Sequence, residues 1–175
     1  MTAALPSSRR SSSLAALFGR AVAAGSTASV ASLLALVWGG HRDCNSALAP
    51  VNAVSHWLWR DVALRQQGPS LRYSVPGYLI HHSMSVLWAV VFEGLLHAPS
   101  KAKIARAPAP LAEHPLAVGL GVSALACFVD LRMTPERLTP GFERRLEPGS
   151  LTAVYLMFGL GLALPRLLDR RSKGR

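Results

Sequence analysis

The chain has 175 residues, half of them apolar and only 16% charged, yet 19 Lys and Arg face 9 Asp and Glu, for a formal net charge of +10 and a mean hydropathy of +0.28. A disordered basic tail would be poorer in apolar residues, and two cysteines are too few for a disulfide scaffold. Two classes remain: a basic nucleic-acid binder, or a membrane protein whose few charges sit in its loops.

In chain order, residues 1–17 read as a polar N-terminal arm, mobile over the Ser-rich Met1–Ser13. Ala21–Gly40 follows with 20 residues and no charge. A cleaved signal is not expected here, because Ser11–Ser13 and Arg20 separate the Arg9-Arg10 pair from the apolar run. Between His41 and Tyr73 lies a connection long enough to hold structure of its own. Within it Pro50 suits the first turn of a helix, and Val51, Val54, Leu58 and Val62 recur at helical spacing beside Trp57 and Trp59. That pattern predicts an amphipathic helix lying at the membrane surface.

Ser74–Phe92 gives 19 residues without Lys, Arg, Asp or Glu, ending at Glu93. Lys101–Pro110, rich in Ala and Pro, reads as a linker. Pro115–Val129 is a shorter uncharged run of 15 residues, which Leu111 and Ala112 can extend. Thr134-Pro135-Glu136 and Thr139-Pro140-Gly141 are successive turn signals, with a short helix expected over 140–146. Gly149–Pro165 supplies a last apolar run of 17 residues before the basic tail, 168–175. A bilayer core of about 30 Å needs roughly 20 helical residues. The expected fold is therefore all-α: a polytopic membrane protein with four transmembrane helices near 18–40, 75–97, 111–131 and 149–167. Together they make one domain over 18–167.

Charge then orients the bundle. Arg9, Arg10, Arg20, the three bases of the 101–106 linker and the five from Arg166 onward put 11 positive residues on one side, against 8 in the two longer loops. The positive-inside rule places both termini in the cytoplasm of a cell whose inner membrane holds the protein. The partners expected are the bilayer, with anionic inner-leaflet lipid at the basic tail, and a second copy of the chain or another membrane protein. Nucleic acid is not expected, because the basic residues are divided among loops without an aromatic-interleaved face. Stripes of small residues (Ala21, Gly25, Ser29, Ser32; Gly119, Ser123, Cys127; Gly159, Ala163) mark close helix contacts, within the bundle or in a homodimer.

Ionisable groups inside a span are candidate functional residues. The second span carries His81, His82 and Glu93. His82 and Glu93 lie about 20° apart around the helix and about 16 Å apart along it, so no single ion contacts both, but a groove could. Glu93 can equally pair with Arg20. At the outer end, His56, His81, His82 and Asp130 are the candidate metal ligands, since imidazole and carboxylate suit zinc or iron. The plainer expectation is a hydrogen-bonded His pair with Asp130 held by Arg132 or Arg42. No cofactor is expected, and haem least of all, because the third and fourth spans lack a facing histidine. Cys44 and Cys127 fall at the same end, where a disulfide is conceivable, although Cys127 suits a small buried position.

Three stretches carry a resemblance: Pro50 through Trp57-Leu-Trp-Arg to Asp61, Pro76-Gly-Tyr-Leu-Ile-His-His82 through Trp88 and Phe92 to Glu93, and Asp130-Leu-Arg-Met-Thr-Pro-Glu to Glu143. Over roughly residues 40 to 165 the chain resembles uncharacterised small bacterial inner-membrane proteins with four spans. The resemblance implies that architecture and no activity. The expected function is a non-enzymatic membrane or accessory protein. The alternatives are a proton- or substrate-translocating component using the His82–Glu93 face, and a metal-dependent membrane enzyme using the outer His/Asp residues.

Overall fold

The computed structural model describes residues 7–97 and 113–173, with side chains described from Leu14 to Ser172. All regular structure among them is helical. α1 runs Ser7–Cys44, α5 runs Ser74–His97, α6 runs Pro115–Phe128 and α7 runs Pro148–Lys173. These four helices hold stretches long and apolar enough to cross a membrane: Leu14–Cys44, Ser74–His97, Pro115–Met133 and Pro148–Ser172. The chain is an all-α, four-span protein.

Two helix ends differ from expectation. α1 starts at Ser7, so the described part of the polar arm is helical. Leu14-Ala15-Ala16-Leu17 are strong helix formers, and no Pro or Gly interrupts them before Gly19. The third span gains its length at its far end. Pro115 occupies the first turn of α6, and the helix continues past Phe128 as one π-helical turn, Val129–Met133. The expected extension through Leu111 and Ala112, and the 101–110 linker, lie outside the described residues.

α1 packs on both α5 and α7, and α7 packs on α6. The circuit closes weakly, because α5 and α6 share the thinnest seam of the neighbouring spans. In lipid there is no hydrophobic force between helices, so close backbone approach and polar contacts hold them. The small-residue stripes do this work inside the bundle. Ala21, Ser29 and Ser32 are fully buried. A Cβ added at Gly161 would stand 2.5 Å from Ala28 Cα, and one at Gly119 would stand 2.6 Å from Gly159 O. Ser123 ties α6 to α7 by donating to Tyr155 O, and Thr27 ties α1 to α7 by donating to Gly161 O at 2.7 Å.

The two longer loops form a knit cap over one end of the bundle. The expected surface helix is there in three pieces: α2 (Ala49–Val54), α3 (His56–Trp59) and α4 (Asp61–Leu64). Arg60, at φ 50° and ψ −142°, breaks α3 from α4. α2 is buried throughout and lies against α5. Its contact is so close that Gly77 meets Val51 O where a side chain would stand. A single amphipathic helix on the surface is therefore not what forms; its first turns are core. Asn52, fully buried, donates to Gly68 O at 2.9 Å and to Gln66 O at 3.4 Å, and accepts from Ser74 Oγ at 2.6 Å. The second loop adds short 3₁₀ turns at Glu136–Leu138 and Phe142–Arg144 in place of the continuous helix expected over 140–146. Gly141 has φ 86°, a conformation that favours glycine, and a side chain there would also strike Ala53 O and His56 Nδ1.

Candidate functional site

At the end of the bundle that carries the termini, Glu93 is 1% exposed and accepts two hydrogen bonds from Arg166, one from Nε at 3.0 Å and one from a terminal nitrogen. Arg20 Nε stands 3.4 Å from the same carboxylate, as the sequence suggested, and His97 Nδ1 lies 3.6 Å from it. The carboxylate is thus ringed by donors from α1, α5 and α7. A planar guanidinium meeting a carboxylate side by side is the strongest pairing available to these side chains. It neutralises an acid buried inside a span.

The cap end holds a different arrangement. A cavity of about 320 Å³ lies between α5 and α6, backed by α1 and α7 and roofed by the cap. Met84, Leu87 and Trp88 of α5 face Ala126 and Val129 of α6 across it. Leu87 on this side is 55% exposed and Leu138 of the second loop 47% exposed, so the cavity opens beside both. Against this apolar lining stand two polar pairs. Tyr155 donates its hydroxyl to Asp130 Oδ2 at 3.0 Å. His81 Nε2 lies 2.9 Å from Ser32 Oγ, which is itself 2.8 Å from Ala28 O. A hydroxyl has one proton, so when it goes to Ala28 O, His81 donates from Nε2. Phe142 joins the pairs, edge-on to His81 with ring centroids 6.4 Å apart and tilted against Tyr155 at 6.2 Å.

Asp130 follows Ala126 by four residues, which places both on the cavity side of the third span, and it sits in the π-helical turn Val129–Met133; such turns are frequent at functional sites. The expected pairing of Asp130 with Arg132 or Arg42 does not form. Arg42 is taken by Asp43 at 2.9 Å and Glu147 at 3.5 Å. Among the described residues Asp130 has no basic partner within ion-pair distance.

The four candidate metal ligands do not converge. His56 is buried in the cap, its Nδ1 2.9 Å from Ala53 O and its Nε2 3.4 Å from Glu136 O. It borders an open polar groove with Arg60, Asp61 and Glu136 rather than the cavity. His82 stacks on Tyr78 at 5.8 Å and lies off the cavity wall. Only His81 and Asp130 share the cavity, and among the described residues no three His, Cys, Asp or Glu side chains are grouped to hold an ion. The cavity takes in Ser85, between His82 and Glu93 on α5, but neither of those two residues. Cys44 and Cys127 are both free, and Cys44 donates to Arg145 O at 3.0 Å.

Sequence reasoning counted Arg166 with the tail and did not single out Tyr155. A signal for Tyr155 existed, since a phenol buried in a span needs a hydrogen-bond partner.

Fold and site together define a multi-pass, four-helix membrane protein with a capped, laterally open cavity. No protein-family profile, curated protein or solved structure matches the chain.

Proposed function

We propose that the chain is a non-enzymatic, small polytopic protein of a bacterial inner membrane, with both termini cytoplasmic and the cap facing outward to meet a partner. The observation that carries this reading is the state of Glu93. An acid inside a span marks proton or substrate handling when it is free to change partners, but here Arg166 and Arg20 hold it from two other helices. It serves as a clamp on the bundle. The orientation rests on the excess of Lys and Arg on the terminal side, 11 against 8. The bases of the tail, 168–175, suit anionic inner-leaflet lipid.

The test compares Glu93→Gln with wild type in two assays. In cells, the variant lowers the abundance of the protein; in proteoliposomes, it leaves pH-dependent flux unchanged. A flux that is present in wild type and lost in a stable Glu93→Gln protein overturns the reading and favours translocation along the second span. Reporter fusions at the C-terminus check the orientation, with a cytoplasmic fluorescent reporter active and a periplasmic phosphatase silent.

A further inference from the structure

We propose that the cavity between α5 and α6 is a binding site for a lipophilic organic cation, an ammonium group on an apolar body, which Asp130 recognises by charge and the surrounding aromatic rings recognise by their faces.

The inference starts from an imbalance. Asp130 is the only carboxylate on the cavity wall, and no Lys or Arg lines it. One of its oxygens takes the Tyr155 hydroxyl, and among the described residues its other oxygen has no hydrogen-bond donor. A carboxylate in apolar surroundings is ordinarily paired, because an unpaired charge removed from water is costly. Glu93, at the other end of the same bundle, follows that rule with two arginines. Asp130 does not, and Glu143 of the cap adds a second negative charge in its neighbourhood. Glu143 Oε2 is itself buried without a hydrogen-bond partner, with its nearest base, Arg144, at 3.9 Å. A cation seated here would supply the pairing that Arg166 and Arg20 give Glu93.

The rest of the wall selects the kind of cation. A metal ion needs several oxygen or nitrogen ligands close together, and among the described residues no three His, Cys, Asp or Glu side chains are so grouped, while most of the wall is apolar. Trp57, Trp88, Phe142, Tyr155 and Phe158 all border the space. Trp57 already spends its indole N–H on Thr139 O at 2.9 Å, so what it has left to offer is ring. Aromatic faces with a nearby carboxylate attract organic ammonium ions, whose charge is spread over alkyl groups that need little hydration. A volume of about 320 Å³ suits a molecule of modest size. The mouth at Leu87, on the thin α5–α6 seam, gives an apolar cation a route from the bilayer.

Full-length protein purified in mild detergent is titrated with benzyltrimethylammonium and, separately, with neopentylbenzene, the same skeleton with carbon in place of the charged nitrogen. Binding is followed by heat and by tryptophan fluorescence. The expected result is saturable binding of the ammonium ion at least about tenfold tighter than its uncharged isostere. Asp130→Asn brings the two probes to equal affinity, Asp130→Glu keeps most of the preference, and Trp88→Leu weakens the ammonium ion several-fold. Equal binding of both probes by wild type, no saturable binding of the ammonium ion, or an unchanged preference in folded Asp130→Asn each overturns the proposal. Equal binding would instead indicate a neutral apolar occupant. If Asp130→Asn does not fold, the two-probe comparison on wild type decides alone.

Discussion

Glu93 on α5 and Arg166 on α7 form a two-point ion pair in which the acid is 1% exposed and the base 27% exposed. The unequal burial makes the two single substitutions unequal. Arg166→Met leaves the carboxylate buried with only Arg20, whose side chain is 38% exposed, and His97 nearby. The expected loss of stability is about 3 kcal/mol, near the lower end for breaking a buried pair. Glu93→Gln frees two arginines that can reach headgroups or water, and should cost about half as much. Thermal unfolding of the detergent-solubilised protein measures both, and a larger loss for Glu93→Gln would contradict this account.

The helix contacts make a second prediction, which rests on two glycines of opposite setting. Gly161→Val forces a side chain into Ala28, where even a Cβ would lie 2.5 Å from backbone. It should separate α1 from α7 and cost about 3 kcal/mol or more. Gly121→Ala, on α6, meets nothing within 4 Å and should be neutral or stabilising by up to about 1 kcal/mol. Melting temperatures of the two variants should therefore move apart.

Asn52 joins the loop at Gln66–Gly68 to the first turn of α5 through three hydrogen bonds. Asn52→Leu would remove all three bonds from the fully buried Asn52 position, leaving the part-buried Gln66 carbonyl and Ser74 hydroxyl and the exposed Gly68 carbonyl without it. Because water can reach the freed groups in part, a loss of about 1 to 2 kcal/mol is expected. Because the damage is local to the cap, limited proteolysis between residues 60 and 73 should accelerate before global melting shifts by a comparable amount.

Arg60 lies exposed at φ 50° and ψ −142°, a conformation that suits glycine. Arg60→Gly should relieve backbone strain of about 1 kcal/mol, partly offset by a freer unfolded chain. A small rise or no change in melting temperature is expected. A drop of several degrees would mean that the arginine side chain makes a contribution larger than the strain.

How far the sequence could be read depended on whether a feature is local. The runs at Ala21–Gly40, Ser74–Phe92 and Gly149–Pro165 each mark a span unaided, because crossing a bilayer needs only enough consecutive apolar residues. Gly25, Ser29 and Gly119 announced close packing for a similar reason, since small residues at helical spacing have no other common use in lipid. The cap was harder. Val51 to Val62 has the spacing of one helix, yet it breaks at Ser55 and Arg60 and buries its first turns against Gly77. Spacing alone cannot say which side of such a segment finds protein and which finds solvent.

The polar residues show the same division more sharply. That His81, Glu93 and Asp130 matter followed from their positions in or beside apolar runs, because desolvation makes any such group expensive. The sequence by itself therefore determined how many helices span the membrane, where small residues let them touch, and which polar groups must find partners. Only the tertiary structure decided what those partners are. Arg166 meets Glu93 across 73 positions, and Tyr155 meets Asp130 across 25. The first meeting is set by how α5 and α7 pack about α1, and the second by how α6 and its π-helical end pack on α7. Rotation and backbone irregularity are settled by packing among all four helices at once, and no local pattern encodes them.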